Sequence, residues 1–212
     1  ALYTLPYPVE ISGTDVGGVF TSIAQAQMTV NWNAPVGGAS TYNVSIASTD
    51  SGSTPVNQTG IVGTSATFLT LTPGKTYNYT ITAVNSAGIS STVTTNNVQT
   101  LSPAPGTATL SGATKTSIVV TFSGATGAAS YLVTSSPAST TTTQALASGG
   151  TFAGLSPNTS YTFTVQSVNP SGNGGTSVAS AALVTLTYAP TLSATIVDGV
   201  FTSITSTTNR ET

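Results

Sequence analysis

The chain has 212 residues, of which only 4% are charged, against about 25% in ordinary soluble domains. Its formal net charge of -2 provides no electrostatic attraction for nucleic acid or an anionic membrane surface, and no apolar run is long enough to span a bilayer. Cysteine and histidine are both absent, so the sequence provides no disulfide, no thiolate metal site and no usual general base, and we expect no metal or cofactor.

Residues 1–23 predict a linker followed by one or two edge strands. The segment Leu5-Pro6-Tyr7-Pro8 is rich in proline, which cannot belong to a central strand. Short apolar runs follow at Val9-Glu10-Ile11 and at Gly18-Val19-Phe20-Thr21-Ser22-Ile23. These runs are short enough for strands at the edge of a sheet.

Residues 24–103 predict a first antiparallel β-sandwich. Met28, Val30 and Trp32 alternate with polar residues, which places Trp32 on the buried face of a strand. Further strands are predicted around Tyr42, Val44 and Ile46, weakly within residues 48–65, around Phe68 and Leu71, from Tyr77 onward, and in residues 91–100.

One stretch of this domain is repeated later in the chain. Residues 71–88 return without a gap as residues 155–172, and each copy has a Leu-x-Pro turn, a tyrosine, an alternating strand and an Asn-x-x-Gly loop. This pattern is typical of a tyrosine corner followed by the central strand of a β-sandwich. Tyr77 and Tyr161 are therefore predicted to lie in two separate cores.

Residues 104–187 predict the second sandwich. Ile118, Val120 and Phe122 alternate as Met28, Val30 and Trp32 do, so Phe122 takes the place of the core tryptophan. Tyr131 and Val133 predict the next strand, and Phe152 matches Phe68.

With these residues in view, the chain resembles tandem fibronectin type III domains over most of residues 24–187. The resemblance implies an all-β fold of two antiparallel β-sandwiches. Phe122 departs from the family's usual tryptophan, although its ring still fills the core.

Each domain ends in a short, proline-containing linker, and the two linkers have similar sequences: Thr100-Leu101-Ser102-Pro103-Ala104-Pro105 and Thr185-Leu186-Thr187-Tyr188-Ala189-Pro190. Stiff linkers of this kind predict an end-to-end, semi-rigid rod with extra terminal strands.

The C-terminal segment, residues 188–212, repeats part of the N-terminal segment. The hexapeptide Gly18-Val19-Phe20-Thr21-Ser22-Ile23 recurs 181 residues later as Gly199-Val200-Phe201-Thr202-Ser203-Ile204. Residues 192–204 predict one apolar strand with no partner strand after it, and such a strand is unstable unless another sheet accepts it. The candidate assembly residues in this strand are Leu192, Ile196, Val200, Phe201 and Ile204.

Three interpretations of this segment stay open. The chain is one period of a longer polypeptide of two-domain units, or it is a separate subunit whose terminal strand completes the sheet of a neighbouring copy. In the third interpretation, the segment folds back on its own chain or is a boundary without function. The first two both produce a linear, head-to-tail assembly of copies of this chain.

The sequence contains few residues that could form a catalytic site. Without histidine, the candidate bases beside a serine or threonine are Lys75 and Lys115, both on predicted turns, and the five carboxylates are scattered along the sequence. Asp15, followed by Gly17 and Gly18, and Asp198, followed by Gly199, are too sparse for a calcium site. We therefore predict that the chain is not an enzyme.

Four Asn-x-Ser/Thr sequons are candidates for attached glycans if the chain is secreted. They begin at Asn43, Asn57, Asn78 and Asn158. The chain starts at Ala1 rather than Met, which is typical either of a fragment or of a secreted chain whose leader has been removed, and the sequons favour the second.

These features predict a structural subunit or repeat unit of an extracellular fibre, filament or surface appendage, secreted or displayed on a cell or virion surface, and joined head to tail through its terminal strands. The alternative is a carbohydrate-binding or adhesive accessory module, or spacer, of a secreted enzyme or adhesin. A binding module should expose an aromatic platform, but the aromatic residues left after the core is assigned are chiefly Tyr3, Tyr7 and Tyr188. Their scarcity favours the structural role.

Overall fold

The computed structural model describes residues 20–89, 93–197 and 200–207. All regular secondary structure within these residues is β-strand, and every strand pairing is antiparallel. The prediction of an all-β chain built from tandem sandwiches is therefore confirmed. The predictions made for Leu5-Pro6-Tyr7-Pro8, for Val9-Glu10-Ile11 and for Asp15 lie outside the described residues.

Domain one places eight described strands in two sheets. They are β1 (Phe20–Thr21), β2 (Met28–Asn31), β3 (Thr41–Ser48), β4 (Val56–Ile61), β5 (Ser65–Phe68), β6 (Thr76–Asn85), β7 (Gly88–Ile89) and β8 (Val93–Gln99). One sheet has the order β1-β2-β5, and the other has the order β4-β3-β6-β7, with β8 also pairing with β6. The two sheets face each other across one core.

Domain two repeats this arrangement. Its strands are β9 (Thr109–Ser111), β10 (Ser117–Thr121), β11 (Ser130–Ser136), β12 (Thr143–Ala145), β13 (Gly150–Ala153), β14 (Ser160–Asn169), β15 (Gly172–Thr176) and β16 (Leu183–Val184). The sheet orders are β9-β10-β13 and β12-β11-β14-β15, with β16 also pairing with β14. The repeated sequence thus produces a repeated topology.

Each domain has its own hydrophobic core, and an aromatic pair of the same kind lies in both. Trp32 is buried with its ring edge-on to Tyr42, at 5.2 Å between ring centres. Phe122 is buried in the same way against Tyr131, at 4.9 Å. A phenylalanine therefore replaces the tryptophan without loss of the edge-to-face contact, which aromatic pairs prefer to a face-to-face sandwich.

Two residues predicted to lie within strands lie just beyond them. Trp32 follows the end of β2 and donates its backbone N–H to Thr64 O at 3.0 Å. Leu71 lies past the end of β5 and donates its N–H to Ala26 O at 2.9 Å. Both side chains stay buried, because the chain continues along the core after the regular pairing stops.

The repeated Leu-x-Pro turn forms a tyrosine corner in both domains. Tyr77 Oη accepts the backbone N–H of Thr72 at 2.8 Å, and Tyr161 Oη accepts that of Ser156 at 2.9 Å. Both rings are buried at the start of the long central strands β6 and β14. The hydroxyl thus satisfies a backbone donor in the turn that precedes its own strand.

Phe20 and Thr21, within the first copy of the hexapeptide, form the first strand of domain one. Phe20 pairs with Val30 on β2, is buried, and lies edge-on to Tyr79 with 5.1 Å between ring centres. The Phe-Thr pair of the hexapeptide is therefore one that this fold uses at the start of a sandwich.

The C-terminal segment differs from the expected single strand. It forms a two-stranded hairpin of β17 (Thr191–Val197) and β18 (Val200–Thr207), with Ala194 opposite Ile204 and Ile196 opposite Phe201. The prediction that residues 192–204 have no partner in their own chain was wrong. The sequence itself carries a signal for such a hairpin, because an Asp-Gly dipeptide, Asp198-Gly199, stands between the two apolar runs. No other described strand pairs with this hairpin.

Tyr42 makes the stability of domain one depend on pH in the alkaline range. Burial raises the pKa of the Tyr42 hydroxyl above its ordinary value of about 10. The folded domain prefers the neutral phenol, so this contribution to stability is complete below about pH 10 and is lost as the pH rises through the higher folded value. We expect the free energy of unfolding to fall in this range, and Tyr42→Phe should make the fall shallower. Denaturant titrations at pH 8 to 11 measure it; an unchanged slope in the variant would contradict the assignment.

Candidate functional site

The candidate site is the joint where the two sandwiches meet. We call the turn at residues 72–75, together with residues 99–105, the exit end of domain one. Thr100 is fully buried there; its hydroxyl donates to Thr72 O at 2.8 Å and accepts the N–H of Lys75 at 3.1 Å. The chain leaving domain one is thus tied to the turn of the tyrosine corner.

Two glycines let the backbones of the domains touch. Gly74 and Gly127 have φ values of 69° and 70°, which favour glycine. A Cβ atom on Gly74 would overlap the carbonyl oxygen of Thr126, and one on Gly127 would overlap the carbonyl oxygen of Gly74. Gln99 Nε2 donates to Gly74 O at 3.1 Å and to Gly127 O at 2.9 Å, so one amide links both backbones.

The linker itself is held by a buried asparagine of domain two. Asn169 Nδ2 donates to Thr100 O at 2.8 Å and to Ser102 Oγ at 3.2 Å, while its Oδ1 accepts the N–H of Ser171 at 3.0 Å. Asn169 and Ser102 are both buried. Asn169 belongs to the Asn-x-x-Gly loop that both copies of the repeat contain, and its side-chain amide has a structural role in this contact.

The linker then runs beside the edge strand of domain two. Gly175 donates its N–H to Ser102 O at 2.9 Å, and Ser167 Oγ donates to Pro103 O at 2.8 Å. A Cβ on Gly174 would overlap Ser102 O. Hydrogen bonds therefore hold the linker on the second domain, in addition to the stiffness that its prolines supply.

The end of domain two has the same internal framework. Thr185 Oγ1 donates to Ser156 O at 2.7 Å and accepts the N–H of Thr159 at 3.0 Å, as Thr100 does in domain one. Leu186 donates its N–H to Thr114 O at 2.8 Å, and Leu101 donates to Ala24 O at 3.1 Å. We call residues 156–159 and 184–190 the exit end of domain two.

Both lysines that could have been bases have other contacts. Lys75 Nζ lies 2.7 Å from Asp50 Oδ2 in a partly exposed ion pair, and Lys115 Nζ lies 4.8 Å from the ring centre of Tyr188. Surface ion pairs of this kind contribute about 1 kcal/mol or less. Within the described residues, no group of three or more His, Cys, Asp or Glu residues could hold a metal ion.

The four sequon asparagines lie in different surroundings. Asn57 and Asn158 are exposed, whereas Asn43 and Asn78 lie half-buried on strands. Asn43 Oδ1 accepts the N–H of Gly60 at 3.2 Å, and Asn158 occupies a turn with a φ of 50°. Asn57 and Asn158 are therefore the two more accessible candidates for a glycan.

No helix able to cross a lipid bilayer is found in the part of the chain that the structure describes. The side chains of the candidate assembly residues Leu192, Ile196, Val200, Phe201 and Ile204 are not described, and only the backbone pairing of their hairpin is.

Solved structures with tandem sandwiches are similar to this chain. A two-domain fibronectin type III segment of chicken tenascin has 19% identity and a TM-score of 0.47, covering 85% of this chain and 99% of its own. The FN1-FN3 domains of chicken CNTN1 have 16% identity and a TM-score of 0.38, covering 91% of this chain and 72% of their own. No curated protein matches the chain.

The sequence profile of the fibronectin type III domain matches residues 17–98 and again residues 103–182. These two matches coincide with the two sandwiches, their tyrosine corners and their separate cores. The chain therefore belongs to the fibronectin type III family, with two domains in tandem.

Proposed function

We propose that this chain is a structural module of an extracellular fibre, filament or surface appendage, in which sandwiches follow one another in a line. Domains of this family generally serve as extracellular structural or adhesive modules and are typically not enzymes. The observation that carries the more specific role is the joint between the domains. A spacer must hold its parts at a set angle, and two hydrogen bonds across this joint support that role: Gln99 donates to Gly127 O of domain two, and the buried Asn169 amide donates to Thr100 O of domain one.

The C-terminal segment supports continuation of the line. Its hexapeptide repeats the residues that begin domain one, where Phe20 is buried between β2 and Tyr79. In the proposed assembly, residues 199–204 join a further sandwich of the domain-one type, either next in the same polypeptide or in another copy. A two-stranded hairpin alone is marginally stable in water, and the free edges of β17 and β18 can accept or supply a strand.

Electron microscopy of the full chain tests this proposal. We expect linear assemblies at high protein concentration, and we expect them to be lost when the chain is ended after Tyr188. Phe201→Ser should weaken assembly, because an apolar side chain that should be covered becomes polar, whereas the neighbouring Thr202→Ser is the matched control.

Two results would contradict the strand-joint mechanism. One is a full chain that stays monomeric and folded at high concentration, and the other is a shortened chain that still forms fibres. Binding of a monomeric chain to glycans on an array would instead favour a carbohydrate-binding accessory module. Its candidate surface is the shallow cleft lined by Asn43, Asn57, Gln58, Thr80 and Thr82.

A further inference from the structure

The exit end of domain two exposes three large apolar side chains within a short stretch. Val184, Leu186 and Tyr188 are 50%, 56% and 64% exposed. The Lys115 ammonium group lies over the Tyr188 ring, which orients this aromatic residue at the surface. Exposed apolar side chains that lie together mark interaction surfaces more often than isolated ones do.

The corresponding positions of domain one are covered, because domain two lies on them. Leu101, the counterpart of Leu186, is half-buried and lies 3.6 Å from the position of a Cβ on Gly172 of domain two. The same contrast separates the buried Gly74, Ser102 and Pro105 from the exposed Asn158, Thr187 and Pro190. The two exit ends thus share a framework and differ in what covers them.

We propose that the exit end of domain two is a docking surface for a sandwich of the domain-one type, which covers Val184, Leu186 and Tyr188. This inference rests on the proposed function in taking another such sandwich as the partner. The sequence identifies the type: Thr185-Leu186 and Tyr188 match Thr4-Leu5 and Tyr7, in the same register as the repeated hexapeptide. The residues that lead into domain one therefore also follow domain two.

Domain one has a receiving end that matches the one used by domain two. It consists of the turn at residues 35–38, closed by the Gly38 N–H to Pro35 O bond at 2.9 Å, and of the loop at residues 85–88. Gly88 has the same φ, 133°, as Gly172 of domain two. Val36 in the first turn is 71% exposed, so the receiving end offers an apolar side chain to the apolar exit end.

The side chains indicate which sandwich fits. At the exit end of domain two, Val184 stands where domain one has Gln99, and Asn158 stands where it has Gly74. A Cβ on Gly74 would overlap the Thr126 carbonyl oxygen of domain two, so the Cβ that Asn158 carries at the corresponding position keeps a second domain-two loop from docking in the same way. The receiving turn of domain one has two glycines, Gly37 and Gly38, with open space around both. With a domain-one sandwich docked there, domains one and two would alternate along a line.

Disulfide exchange between single-cysteine variants of the full chain tests this contact. The natural chain has no cysteine, so each variant carries one thiol. Val36→Cys, activated as a mixed disulfide with thionitrobenzoate, is mixed with Leu186→Cys, and release of the chromophore gives the rate. The matched control is Val62→Cys in place of Leu186→Cys, because Val62 is 81% exposed and lies between β4 and β5, away from both exit ends.

We expect exchange with Leu186→Cys to be about tenfold faster than with Val62→Cys, the ratio that about 1.4 kcal/mol of docking free energy produces. Adding Tyr188→Asp to the Leu186→Cys chain should remove the advantage, and circular dichroism should show that this exposed change leaves the fold intact. Equal rates for the two partners, or an advantage that survives Tyr188→Asp, would overturn the proposal. The proposal would also be overturned if activated Val36→Cys exchanged faster with a second copy of Val36→Cys than with Leu186→Cys.

The two proposals fail in different ways. Fibres that form without selective exchange would leave the structural function standing and reject this docking surface. Selective exchange by a chain that forms no fibres would support the docking surface and reject the assembly mechanism.

Discussion

Replacing Trp32 by alanine should lower the free energy of unfolding of domain one by about 3 to 5 kcal/mol, the usual cost of removing a large buried aromatic side chain. Trp32 is 3% exposed and packs edge-on against Tyr42, so its loss leaves a cavity between the two sheets. Denaturant unfolding of the full chain, followed by circular dichroism, should show one transition at lower denaturant concentration and the other unchanged.

The matched variant is Phe122→Ala, which removes the corresponding ring of domain two. In that variant the fluorescence of Trp32, the only tryptophan of the chain, should still report an unshifted transition of domain one. A cost of less than about 1 kcal/mol for Trp32→Ala would contradict the assignment of Trp32 as the centre of the first core.

Replacing Gly74 by alanine should open the joint between the domains. Its φ of 69° already makes a Cβ atom costly, by about 1 kcal/mol, and that atom would also overlap the Thr126 carbonyl oxygen of domain two. We expect the distance between two spin labels, one in each domain, to become longer and more widely distributed. Labels attach at introduced cysteines, since the natural chain has none.

Gly60→Ala is the control for the backbone strain alone. Gly60 has a similar φ of 71°, but nothing lies within 4 Å of the position of its Cβ atom. Both variants should lose a similar amount of domain-one stability, and only Gly74→Ala should change the distance between the domains. Identical distance distributions would show that the contact of Gly74 with Gly127 does not set the angle of the joint.

The strands and the core residues of both domains could be predicted because alternation and aromatic residues are local signals. Tyr77 and Tyr161 each begin a run in which every second side chain is apolar, and that period is the geometry of a strand with one buried face. The Asp198-Gly199 dipeptide is a hairpin signal in the sequence, and a pairing of the two apolar runs on either side of it could have been predicted from it.

The contacts of the joint could not be predicted in the same way. Gln99, Gly127 and Asn169 are far apart in sequence, and each is an ordinary loop or strand residue when read alone. Their roles depend on where the second sandwich lies relative to the first, which brings Gln99 to the Gly127 carbonyl and Asn169 to the linker. The repeated Asn-x-x-Gly loop indicated that Asn169 has a structural role, but it did not indicate that this role is a hydrogen bond to the linker.

By itself, then, the sequence determined the two sandwiches, their cores and their end-to-end order, because these follow from periodicity, turn residues and the internal repeat. Only the tertiary structure decided that the linker is hydrogen-bonded into domain two, that the C-terminal segment pairs with itself, and that the exit end of domain two is exposed where that of domain one is covered. The physical reason is that hydrogen bonds and burial between distant segments depend on the relative positions of whole domains, about which the local pattern of side chains carries no information.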